Sequence, residues 1–447
     1  MNPLLVRRPV DRDILRLAVP ALGALIAEPI FLLVDSAMVG HLGVAPLAGL
    51  GIAGAILQTI VGLMVFLAYS TTPAVARRLG AGDVRGAVAA GVDGCWLALG
   101  LGVALAVAGW FAAPGLVALF GASPGVSAQA TRYLELSMLG LPAMLLVFSA
   151  TGLLRGLQDT RTPLAVAVGG FALNAVLNVV LIAVVGLGIE GSAIGTVAAQ
   201  WAMAAVYLVI VARHARQVGA PLLPHHTGVL RSARSGGWLL LRTASLRAAM
   251  LLAVFAATRL GPNELAAFQV TLTIFATVAF ALDALAIAAQ ALIGKGLGAA
   301  DLPGVRAVLR RCIRWGLGTG VVLGAAVVAT SPIAAGLFTN DRSVAALLPA
   351  SLAIIGVSAP LGGFVFVLDG VLIGAGDARY LALTGLVNLG VFAPLAVVAV
   401  AGADAGGAAA GLVRLTAAFA FGYLGARAVT LGLRARGTSW MRPGASA

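Results

Sequence analysis

The sequence predicts an all-α polytopic membrane protein: twelve transmembrane helices in two six-helix, pseudo-symmetric lobes with a central cleft. Three observations lead there. Of 447 residues, 61% are hydrophobic and 10% charged, where an ordinary soluble domain carries about 25% charged residues. Apolar runs of roughly 20 residues, the length that crosses a hydrocarbon core, recur along the whole chain between short polar breaks. The chain also repeats itself at a constant offset of 218 residues.

In lipid a backbone must satisfy its own hydrogen bonds, so runs that lack a two-residue alternation are helices and not barrel strands. They fall at 14–40, 45–75, 87–113, 127–152, 163–187, 191–213, 235–258, 262–294, 307–331, 343–374, 380–402 and 407–433, which leaves no soluble domain of useful size. Arg7, Arg8 and Arg12 precede the first run as in a secretory signal. No small-residue cleavage site follows and the run passes 20 residues, so it reads as an uncleaved helix. That span holds Pro20, which removes a backbone bond and offers a bend point. It also holds Glu28 and Asp35, nearly two turns apart on one face.

The fourth span contains Pro142 and the tenth Pro360, both read as kinks. The fifth carries Asn174 and Asn178 on one face, and the sixth carries Thr196. At about 1.5 Å per residue, Asp35, Asn178 and Thr196 lie at similar depth. A basic linker at 214–234 follows, dividing an N-lobe (1–213) from a C-lobe (235–447). The C-lobe spans hold Arg242 and Arg247 (seventh), Asp283 (eighth), Asp369 (tenth) and Arg414 (twelfth).

The net charge of +13 is distributed by side. Basic residues follow even-numbered spans, among them Arg77, Arg78, Arg155, Arg213, Lys295, Arg310 and Arg427, whereas the opposite loops hold little beyond Arg259 and Arg342. This bias places both termini in the cytoplasm. The charge then meets anionic lipid headgroups, not nucleic acid.

The repeat lays HLGVAPLAG (41–49) over RLGPNELAA (259–267) and RRLGAGDVRG (77–86) over KGLGAADLPG (295–304). Pro114 meets Pro332, Pro142 meets Pro360, Asp83 meets Asp301 and Asp159 meets Asp377. Paired prolines and aspartates at one offset mark a duplicated six-helix unit. An even number of spans orients both copies alike, about an axis along the membrane normal. Two such halves flanking a cleft suit alternating access.

An ionisable group inside the bilayer costs about 2.5 to 3.5 kcal/mol on insertion scales, so each is a candidate functional residue. A carboxylate kept from water without a cation favours its neutral form and can load and release a proton. Asp35 fits that role. Asn174, Asn178 and Thr196 fit either a polar site or helix–helix hydrogen bonding. Arg242 with Asp369, and Arg247 with Asp283, come out at matching depths and are expected as salt bridges, structural or gating. Cys95 and Cys312 read as small core residues, not a disulfide or metal site. Among histidines, His41 lies in an outer loop and His225 and His226 in the linker. HExxH and GxxxxGK[ST] are absent from the chain, which argues against an enzyme.

Three stretches carry a resemblance: PIFLLVDSAMVGHLG (29–43), FALDALAIAAQALIGKGLGAAD (280–301) and FVLDGVLIGAGDAR (366–379). Together they resemble the multidrug and toxic compound extrusion (MATE) family and, within it, the DNA-damage-inducible F (DinF) branch. The resemblance implies export of amphipathic, mostly cationic drug-like small molecules, driven by protons or sodium, across a bacterial cytoplasmic membrane. It implies no cofactor beyond the coupling ion, no metal, no nucleic-acid partner, and function as a monomer among membrane lipids. The family's coupling carboxylate matches Asp35 and its bend proline Pro20; the network residues of the DinF branch match Asn174 and Thr196. Asn178 departs from members that carry a second carboxylate there. Glu28 falls where the family lines its drug cleft, and would favour cations. A lipid or lipid-linked oligosaccharide flippase of the same superfamily is the alternative.

Overall fold

The computed structural model describes residues 10–339, 341–401 and 403–445, which contain helices and turns and no strand. The helices are α1 (Val10–Gly40), α2 (Val44–Met64), α3 (Phe66–Gly80), α4 (Val84–Ala118), α5 (Pro124–Met138), α6 (Leu141–Gly156), α7 (Arg161–Asn178) and α8 (Gly188–Val218). They continue as α9 (His226–Thr258), α10 (Pro262–Gly298), α11 (Leu302–Phe338), α12 (Arg342–Gly374), α13 (Ala378–Ala401), α14 (Ala403–Ala417) and α15 (Leu424–Arg436). Two π-helical turns, Val179–Val184 and Ala418–Tyr423, extend α7 and join α14 to α15. Eleven helical segments among the described residues are long and apolar enough to cross a membrane. The bent pair α5–α6 makes twelve.

Two compact units divide the described chain: residues 19–236 with 444–445, and residues 10–18 with 237–443. The first division falls inside α1, beside Pro20; α1 is nevertheless one continuous helix through Pro20 and Pro29. The stretch expected as a linker is mostly helix: α8 runs to Val218 and α9 begins at His226. Its short turn is held to α4, where the Asp93 carboxylate accepts from the His225 backbone N–H (2.8 Å) and Trp96 Nε1 donates to the Leu222 carbonyl (2.9 Å).

Each unit repeats the other's packing. A Cβ on Gly102 would lie 2.6 Å from Pro142 Cα, and one on Gly320 would lie 2.7 Å from Pro360 Cα. Gly152 abuts the Ala68 carbonyl, and Gly370 abuts that of Ala286. These pairs differ by the offset read from the sequence. Small residues let membrane helices approach closely enough for dispersion contacts, since lipid tails offer no hydrophobic contrast.

The paired aspartates close turns. Asp83 accepts from Gly86 N–H (2.7 Å), Asp301 from Gly304 N–H (2.9 Å), and Asp159 from the Arg161 and Thr162 N–H groups (3.0 Å each). Each satisfies donors that a helix start leaves unpaired. Asp377 instead accepts from Arg434 Nε at 2.6 Å.

Candidate functional site

Asp35 lies about five-sixths of the way along α1 and is 4% exposed. Its Oδ1 accepts from Asn178 Nδ2 and from Ser192 Oγ, both at 2.7 Å. Asn178 Nδ2 also donates to Asn174 Oδ1 (3.1 Å), and Asn174 Nδ2 donates to Thr196 Oγ1 (2.9 Å). The network thus runs Thr196–Asn174–Asn178–Asp35–Ser192 across α1, α7 and α8. Asn174, Asn178 and Ser192 are buried and Thr196 half-buried. Asp35 Oδ2 makes no hydrogen bond, and no cation pairs with this carboxylate, among the described residues.

Local geometry explains the assembly. Asn174 and Asn178 are one turn apart on α7, as Ser192 and Thr196 are on α8. Gly191 and Gly195 stand on the same stretch of α8; a Cβ on Gly191 would reach the Leu181 carbonyl (3.0 Å), and one on Gly195 would overlap Asn178 Oδ1. Their missing side chains admit the asparagines. Asn178 is the last residue of α7 before the π-helical turn. Beside it, Phe31 of α1 stacks on Phe171 of α7 with ring centres 5.0 Å apart.

Two residues of this site were not read from the sequence. Ser192 is a lone hydroxyl in a run of small residues; its one-turn spacing from Thr196 was the available signal. Tyr133 on α5 is buried, and its phenol faces the hydroxyls of Ser137, Ser192 and Thr196. Glu28, expected on the same face as Asp35, is exposed at the surface of its unit and separate from the network.

The other unit holds a different arrangement. Arg242 of α9 grips Asp369 of α12 with two guanidinium nitrogens, Nη2 to Oδ2 and Nε to Oδ1, the latter at 3.2 Å. Arg427 of α15 adds Nη2 to Asp369 Oδ1 at 3.4 Å. All three are buried. The expected Arg242–Asp369 pair therefore forms. Arg427 corrects the sequence reading, which set it among the loop arginines: the face of α15 toward α12 draws it onto Asp369. The expected Arg247–Asp283 pair does not form; Arg247 is exposed, and Asp283 lies in the electrostatic field of Arg427. Arg414 is likewise exposed. Cys95 and Cys312 are buried free thiols.

Twelve spans in two repeated units, one holding a sequestered unpaired carboxylate, define a membrane transporter. The MatE family model matches residues 20–180 and 242–398. The protein DETOXIFICATION 44, chloroplastic, of Arabidopsis thaliana is 33% identical over 389 residues, covering 83% of this chain and 74% of that protein. DNA damage-inducible protein F of Escherichia coli is 29% identical over 376 residues, 82% of this chain and 81% of that one. The fold matches a MOP superfamily transporter from Pyrococcus furiosus with a TM-score of 0.87 at 22% identity, covering 96% of each chain. The Vibrio cholerae MATE transporter VcmN matches with a TM-score of 0.86 at 21% identity, covering 97% of this chain and 98% of that one. The chain belongs to the MatE family of multidrug and toxic compound efflux transporters. It is a multi-pass membrane transporter and not an enzyme.

Proposed function

We propose that the protein is a proton-coupled antiporter that exports amphipathic, mostly cationic compounds across the plasma membrane by alternating access. The observation that carries this reading is the pair of donors on Asp35 Oδ1 beside a free Oδ2. Hydrogen bonds to an ionised carboxylate are about twice as strong as neutral ones. A proton arriving at Oδ2 weakens both the Asn178 and Ser192 bonds at once, and loosens α1 from α7 and α8. Pro20 and Pro29 lower the resistance of α1 to bending by removing backbone bonds. Loss of the proton to the other side restores the grip.

Proton coupling is favoured over sodium by what surrounds the carboxylate. Both its neighbours present hydrogens, whereas sodium is coordinated by oxygens. Asn174 Oδ1 is already engaged by Asn178. Glu28, exposed on the same helix, supplies negative charge that recruits a cationic substrate. Asp369 is held by two guanidinium groups and so has no free charge for a coupling ion.

The test is drug efflux from proteoliposomes under an imposed pH or sodium gradient, with wild type and Asp35→Asn. A pH gradient is expected to drive efflux in wild type only, with the variant still inserted and folded. Sodium-driven efflux, or export retained in the variant, would overturn the scheme. Efflux under neither gradient would favour a lipid flippase instead.

A further inference from the structure

The arginine-rich end of α11 meets the end of α15 at a pocket of about 560 Å³. Arg306 and Arg310, one turn apart on α11, and Arg436 in the last turn of α15 line it; Leu309 and Met441 form its buried floor. No acidic residue lines it. None of these three guanidinium groups makes an ion pair or side-chain hydrogen bond among the described residues, although all three are exposed. Acids from other elements do reach neighbouring arginines of these helices. Arg311, next to Arg310, pairs with Asp11 at 2.5 Å, and Arg434 pairs with Asp377 at 2.6 Å. Three like charges facing one cavity repel one another unless an anion joins them.

What lies beyond the pocket selects the kind of anion. On α11, Leu317 and Val321 follow Arg310 by seven and eleven residues, on the same helical face, and are 39% and 55% exposed. On α15, Leu433 and Val429 precede Arg436 by three and seven residues and are 62% and 60% exposed. Both helices therefore pass from bare arginine at one end to an exposed apolar stripe within the span. A soluble anion would use only the charged end. We propose that this pocket binds the headgroup phosphate of an anionic phospholipid, with the acyl chains lying along the two apolar stripes. The arginine bias of the chain puts this end at the cytoplasmic leaflet, where anionic lipids and basic interhelical pockets meet.

The experiment is native mass spectrometry of the delipidated full chain with phosphatidylglycerol, and phosphatidylcholine as the neutral comparison. The site variant is R306Q/R310Q/R436Q; the control variant, R213Q/R216Q/R234Q, removes the same charge from exposed arginines elsewhere. Wild type and control are expected to retain phosphatidylglycerol over phosphatidylcholine. The site variant should lose that retention about a hundredfold, at roughly fivefold per arginine near a membrane surface. Should the triple variant aggregate, R436Q alone, at an exposed helix end, should lower retention about fivefold. Equal loss in site and control variants, or loss in neither, would overturn the proposal. So would binding of inorganic pyrophosphate to wild type as tight as that of the lipid, lost in the site variant, which would assign the pocket to a soluble anion.

Discussion

The same residue type has opposite surroundings in the two units. Asp35 is met by neutral donors on one oxygen only, whereas Asp369 is gripped by two arginines. The first arrangement suits a group that changes protonation; the second holds its charge. Gly195 tests how finely the first is set. In Gly195→Ala the new methyl displaces the Asn178 amide, the far end of a flexible side chain, so the fold should survive while the bond to Asp35 is lost. Efflux is expected to fall about tenfold, the loss of one charge-assisted bond of about 1.5 kcal/mol, with thermal unfolding in detergent lowered by no more than a few degrees. Full transport in this variant would remove Asn178 from the mechanism. Asp35, Asn178 and Thr196 were legible because polar groups at one depth in apolar spans are few, and Asn174 because it stands one turn from Asn178 on the same face. Ser192 and Tyr133 were not, because hydroxyls are ordinary in these helices. Thr243, Thr271 and Thr277, for example, simply bond the carbonyl one turn back. Only the approach of α8 to α1 distinguishes Ser192 from them.

At the scale of elements, helix positions were readable from apolar length, and departures from regular helix were not. The α5–α6 pair bends by 50° before Pro142, while α12 continues unbroken through the equivalent Pro360. The difference lies two residues earlier. Gly140 stands at the break, and its counterpart Ser358 bonds back to the Ile355 carbonyl at 2.9 Å, within an unbroken helix. Proline was visible in both repeats; what its neighbour does to the backbone was not. The charged cluster is also an element-scale feature, since Arg242, Asp369 and Arg427 tie α9, α12 and α15 together. Arg242→Met leaves a buried carboxylate with one weaker partner, and removing one member of such a pair costs about 3 to 5 kcal/mol. A marked fall in the detergent unfolding temperature is expected. A change of less than a degree would mean that Arg427 alone neutralises Asp369.

For the whole molecule, the repeat and the side-dependent arginines are the two strongest signals in the sequence, because both draw on many residues at once. The orientation they imply is open to direct measurement. Both native cysteines are buried, so single cysteines introduced at the start of α4 and in the α4–α5 turn report with low background. Arg85→Cys should react with a membrane-impermeant maleimide only from the cytoplasm, and Gly121→Cys only from outside. The reverse pattern would invert the topology. The glycine contacts shared by the units, Gly102 on Pro142 and Gly320 on Pro360, bear on how such a chain can diversify. They leave no volume for a methyl group, whatever compound is being carried. In a library of random variants grown under several toxic compounds, Gly102, Gly152, Gly320 and Gly370 should resist change under every selection. Adaptation to a new compound would then be confined to positions the scaffold does not use to hold its helices together.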